Sequence, residues 1–170
     1  MSKAENLKAE VLKAQQNSDI ASLYMLEQRA HDTFDEDTLG GFYANILDLA
    51  LERLTDTLEA HRVMDTNEVQ DFATLRALYE YAIENYSASQ IHDASALFEV
   101  LSGLSNDKKF SNAMKIHTLA SQEKLTLDEF LEKIADIDET QKAGTFYISC
   151  FNKEAQKLLG DSQIDGELSE

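Results

Sequence analysis

Residues 77–104 read ALYEYAIENYSASQIHDASALFEVLSGL, and this stretch decides the fold class. Leu78, Tyr79, Ala82, Ile83 and Tyr86 recur at the 3.6-residue period of a helix. Leu97, Phe98, Leu101 and Leu104 do the same after a polar break near Ser87–Asp93. Two amphipathic helices joined by a short turn are therefore expected, each burying one face. Leu78 and Phe98 are expected in the core.

The same periodicity extends outward in both directions. Ser2 and Glu5 form a capping box, each side chain placed to satisfy the other residue's free backbone N–H. The box opens a helix to about Gln16, with Leu7, Val11 and Ala14 as its apolar stripe. A second helix carries Ile20, Leu23, Leu26 and Ala30. A third, from about Thr38 to Met64, shows Leu39, Phe42, Ile46, Leu49, Arg53, Leu58 and His61 along one face. The next presents Val69, Phe72, Leu75, Tyr79, Ala82 and Tyr86. Beyond the quoted hairpin, helices are expected over about 108–121, from the capping box Thr126–Glu129, and over about 139–159. Gly160 is a candidate left-handed stop.

Composition agrees with this pattern. The 170 residues contain no proline, which removes a donor and clashes inside helices, and only six glycines. An all-α antiparallel bundle of six to eight helices is expected, one domain over 1–160 followed by an acidic disordered tail at 161–170. No apolar run approaches the roughly 20 residues that span a bilayer, so the cytoplasm is the expected compartment. The one cysteine, Cys150, shares an apolar face with Phe146 and Phe151 and reads as a buried structural thiol.

The net charge is −17. Residues 14–107 carry 18 acids against four Arg and no Lys, while residues 108–170 carry 12 acids against eight Lys. So acidic a surface repels phosphate backbones and anionic lipid, which argues against nucleic-acid and membrane partners.

The sequence carries no catalytic or metal-binding pattern. No histidine follows an acid by three, as carboxylate-bridged metal bundles require, and no zinc spacing exists around one cysteine. Asp35, Asp37 and Gly40 echo a calcium loop, but its twelfth position is Ile46 where a bidentate Glu is needed. Gly40-Gly41 follows no strand and precedes no Lys-Ser/Thr, so it is a joint or a close helix approach, not a phosphate loop. No enzyme, cofactor, metal or small-molecule substrate is expected.

Word by word, the quoted stretch resembles the C-terminal half of the FliS family of flagellin export chaperones. The likeness rests on Leu78, Tyr79 and Tyr81, then Asp93, then Leu97, Glu99, Val100, Leu101 and Leu104. It extends over about residues 42–104, since Ile46, Leu47, Leu49, Leu51 and Leu54 fall where that family has another long helix. Members of the family open with a tyrosine-containing segment and a proline turn. This chain has neither, and it continues some 65 residues past Leu104. The resemblance thus implies either a diverged export chaperone or a co-chaperone that binds the flagellar export chaperone or its flagellin-type client, the second explaining a shared scaffold without the family's opening motif. It implies partner contacts among Leu75, Leu78, Tyr81, Tyr86, Phe98 and Leu101, through a groove for a partner helix. The plainer alternative keeps Tyr79 and Tyr86 in the core with Tyr81 half-exposed.

Residues 77–101 also resemble one tetratricopeptide repeat, at Leu78, Ala82, Tyr86, Ser89, Ile91, Ala94 and Phe98. Helices opening near Phe42, Leu78, Phe110 and Phe146 approach that repeat's period. Such chaperones serve type III secretion, so both resemblances imply the same work. The competing class is a helical ligand-binding protein or enzyme of unknown ligand.

Overall fold

The computed structural model describes residues 2–159, and over them the chain is all-α. Gly160 and the tail 161–170 lie outside the described residues. The helices are α1 (Lys3–Gln16), α2 (Ile20–Met25), α3 (Glu27–Thr33), α4 (Glu36–Glu59), α5 (Val69–Ser87), α6 (Ile91–Leu104), α7 (Lys108–Gln122), α8 (Leu127–Lys133), α9 (Ile137–Ala143) and α10 (Lys153–Leu159). Contacts divide the chain into two compact units, Met1–Ala77 and Leu78–Glu170, the division falling inside α5. The ten described helices exceed the expected six to eight because two stretches read as continuous are each broken in two.

In the first unit, both Ser2 and Glu5 arms of the capping box close over the start of α1. Leu7, Val11 and Ala14 are buried, and α1 packs on α2 and α3, which in turn lie against α4. Leu26 sits at φ −89 and ψ −4 and divides α2 from α3. Phe42, Ile46, Ala50 and Thr57 form the buried face of α4. That corrects the sequence face at its far end: Leu58 is half-exposed and His61 lies beyond the helix with a positive φ of 54°. Val69 and Phe72 on α5, expected inside, are likewise 64% and 43% exposed.

Four helices end alike, and none uses glycine. After α1, α4, α5 and α7 the residues Ser18, His61, Ser89 and Lys124 take left-handed backbone, with φ from 52° to 66°. In each case the amide of that residue and the amide of the next reach back to two carbonyls of the last turn, as in Ser18 to Gln15, Asp19 to Ala14, Lys124 to Ser121 and Leu125 to Ala120. These bonds satisfy carbonyls that would otherwise lack a partner. An L side chain in this conformation costs roughly 1 kcal/mol, offset here by the paired hydrogen bonds.

In the second unit α6 and α7 pack along their lengths, and α7 also meets α10. Asp107 caps α7 through the amides of Lys109 and Phe110, and the Thr126–Glu129 box caps α8 as read from sequence. The long final helix expected over 139–159 is not formed. α9 stops at Gly144, whose φ of +71° is the left-handed cap, and residues 144–152 run without helix before α10. The reason lies in Thr145–Asn152, TFYISCFN, a run of β-branched, aromatic and small polar residues that disfavour helix. This strap pairs antiparallel with the end of α8. The Asp136 amide donates to the Cys150 carbonyl and the Asn152 amide to the Ile134 carbonyl, both at 2.9 Å.

Candidate functional site

Leu75, Leu78, Tyr86, Phe98 and Leu101, five of the six residues assigned to a partner groove, are buried. Leu75 belongs to the first unit and the others to the second. Tyr81 alone is half-exposed. The spacing of these residues is that of a core stripe, and a helix has only one such face to bury. The plain reading of the tyrosines holds instead: Tyr79 and Tyr86 are interior and Tyr81 lies at the margin.

What the second unit builds from these residues is a closed aromatic interior around His117. Its ring centroid lies 4.8 Å from Phe130, 4.9 Å from Phe98 and 5.4 Å from Tyr79. Tyr86, Phe110, Tyr147 and Phe151 extend the cluster by further tilted and edge-on contacts, the geometries aromatic rings favour. His117 Nδ1 stands 2.6 Å from the Ala113 carbonyl and Nε2 2.9 Å from the Tyr79 hydroxyl. The carbonyl can only accept, so Nδ1 carries the proton and Tyr79 donates to Nε2. The Tyr79 oxygen in turn accepts from the Ile148 amide at 3.1 Å, which fastens the strap.

Electrostatics follow burial. Loss of solvent holds the His117 imidazole down at about 4, against a small upward pull from the Ala113 carbonyl, so the ring is neutral. Tyr79 and Tyr147 are raised well above the phenol range, chiefly by desolvation. Tyr86 is pushed up to about 12 by burial and the Glu129 charge, and its hydroxyl donates to the Leu125 carbonyl at 2.7 Å. Every hydrogen-bonding position of His117 is filled. It is a satisfied core histidine, not a group poised for proton transfer. Cys150 is a buried free thiol as expected, but on the strap and not on a helical face.

Two hollows open on the first unit. One of about 360 Å³ lies between α1 and α2, with Lys13, Asn17, Asp19, Ser22 and Met25 in its wall. Asp19 is held below the usual carboxylate range by bonds from Ser22 and Gln70, so its oxygens are committed to capping α2. The other, about 380 Å³, is bordered by Lys3, Asn6, Arg29 and Asp32, and Arg29 is turned to Glu10 at 2.7 Å. Among the described residues no three His, Cys, Asp or Glu side chains cluster to hold a metal ion, and no helix is long and apolar enough to cross a membrane.

The feature that stands out is α4. One third of its circumference is core, through Phe42, Ile46, Ala50 and Thr57. Arg53 closes that edge, with Nε and Nη2 at 3.1 and 3.0 Å from one Asp71 oxygen. The next third carries Ala44, Leu47, Leu51, Leu54 and Leu58, alternately three and four residues apart. Leu47 and Leu54 are half-buried, whereas Leu51 is 37% and Leu58 50% exposed. The last third holds Asp48, Glu52, Asp56 and Glu59, all exposed. Gly40 and Gly41 lie within the first turns of α4, and a Cβ at either would meet nothing within 4 Å. They mark neither a close approach nor a joint. Sequence reading missed the second stripe because the strongest period on α4 is that of the core stripe beside it. No protein-family model, curated protein or solved structure matches the chain.

Proposed function

We propose that this chain is a non-enzymatic binding protein of flagellar, type III-related export. In this reading it is a cytoplasmic co-chaperone that holds a helix of the flagellar export chaperone or of a flagellin-type client. One observation carries the reading: α4, which lies largely inside the region that resembles the FliS family, carries an in-register row of leucines with Leu51 and Leu58 exposed and Leu47 and Leu54 half-buried. Scattered exposed leucines are ordinary on protein surfaces, but an in-register row is the pattern of a helix-binding face. The buried aromatic interior of the second unit supports the same reading from the other side. Its His117, Tyr79 and Tyr86 side chains all hydrogen-bond within the unit.

Isothermal calorimetry with purified flagellar export chaperone, and separately with flagellin C-terminal fragments, tests the proposal. Heat and co-elution with either one, at tens of micromolar, are the expected result. Silence with both overturns it.

A further inference from the structure

We propose that the Leu47–Leu51–Leu54–Leu58 face of α4 docks a single amphipathic helix whose flank is basic. This deepens the reading above by naming the surface and the chemistry of its occupant, and its flagellar setting rests on that reading.

The surface is a half-finished coiled-coil seam. Spacings of three and four residues keep the leucines in line, as a and d positions do. They cover three turns, roughly 16 Å of helix axis, which a partner of three to four turns would match. Leu51 and Leu58 protrude furthest and would seat between partner side chains as knobs.

Charge chooses the occupant. The seam is bordered on one side by the core and on the other by Asp48 and Glu59, with Glu52 and then Asp56 further round the helix. Among the described residues none of these four carboxylates has a cationic partner. The single base on α4, Arg53, is turned away to Asp71. A second copy of this chain would lay one acidic row against another, and like charges placed so oppose association. A partner helix with Lys or Arg along its flank meets the row with opposite charge, and its encounter is accelerated. The partner is therefore a basic helix of another protein.

The test uses the whole chain with four ligands: the flagellar export chaperone, flagellin C-terminal fragments, and two synthetic helical peptides of three heptads. The peptides share one leucine seam and differ only in being flanked by Lys or by Glu. The Lys peptide should bind at least about tenfold more tightly than the Glu peptide. Leu51→Glu with Leu58→Glu should weaken binding at least about a hundredfold, as expected of two anchors. Asp48→Lys, Glu52→Lys and Asp56→Lys together should slow association about tenfold with little change in dissociation. All five positions are exposed, so unchanged circular dichroism and urea midpoints certify folding, and Leu51→Ser replaces any variant that fails. Binding of the Lys peptide with no binding of either flagellar protein would sink the flagellar setting and leave the docking face standing. Flagellar binding that both sets of variants leave intact would overturn the face and leave the function standing. Concentration-dependent self-association abolished by the leucine variants overturns the basic occupant in favour of a second copy. Equal affinity for the two peptides overturns it as well.

Discussion

The first unit is held by aliphatic side chains within and arginine pairs at its margin, whereas the second closes a ring of aromatic side chains around one neutral histidine. Three of the four arginines of the chain serve the first unit, as Arg29–Glu10, Arg53–Asp71 and Arg76–Glu27. Arg76 also lies 3.9 Å over the Tyr24 ring, and Glu27 accepts from Tyr43 as well as from Arg76. In the second unit the tertiary hydrogen bonds run through the aromatic interior: Tyr79 to His117 is buried, and Ile148 to Tyr79 and Tyr86 to Leu125 are part-buried. The contrast separates two meanings of hydrophobic residues. Aromatic wealth marks the interior of the second unit, while the in-register leucine row, exposed at Leu51 and Leu58, lies on the first.

The largest test of that contrast is Phe98→Ala. It opens a void where Tyr79, Tyr86 and His117 converge and should destabilise by about 3–5 kcal/mol, read from urea unfolding. Leu51→Ala on the exposed row should cost less than about 0.5 kcal/mol. Equal losses would erase the distinction between the two regions.

Acid should act on the second unit next. The His117 pKa is lowered in the folded state to about 4, so above the ordinary value near 6.5 both folded and unfolded chains hold it neutral. As pH falls from about 6.5 towards 4 only the unfolded chain takes up the proton, and stability declines by about 3 kcal/mol. His117→Phe should flatten the pH dependence of unfolding in that window. An unchanged slope would show that the ring is reached by solvent.

The margin of the first unit should yield less. Arg53→Met removes a pair whose arginine is more than a third exposed and should cost about 1 kcal/mol or less. A larger loss in chemical denaturation would make the arginine margin the equal of the aromatic interior.

Smallest are the backbone substitutions, which should raise the thermal midpoint in both units. Gly40→Ala places a Cβ in open space within α4, and Lys124→Gly relieves the left-handed end of α7. Each should stabilise by about 0.5–1 kcal/mol.

The sequence made much of this visible. The hairpin around Ser87–Asp93, the two capping boxes and the burial of Leu78 and Phe98 follow from period and cap chemistry alone. Helix ends were harder, because Ser18, His61, Ser89 and Lys124 fill positions where glycine is the usual signal. The strap was hidden by Phe146 and Cys150, four residues apart as on a helix, although TFYISCFN is composed of poor helix formers. Of the six residues assigned to a partner, five are buried. Resemblance drew attention to the strongest apolar positions of 75–101, and those are strong because they are core. The row on α4 is written as plainly in Leu47, Leu51, Leu54 and Leu58, but whether a second apolar stripe is covered is decided by packing that no local pattern encodes.

The bond from the Ile148 amide to the Tyr79 hydroxyl joins residues 69 positions apart, and it sets an order of events. Helices such as α6 and α7 form from near neighbours and close quickly, whereas the strap must wait for both of its anchors, since distant contacts carry the larger loop-closure entropy. Its anchor at Tyr79 therefore closes a longer loop than the contacts of α6 with α7. The chain's single thiol, Cys150, rides on the strap. Thiol labelling of the native protein therefore times the lifting of one segment, and comparison with amide exchange in α7 separates that local event from unfolding of the whole unit.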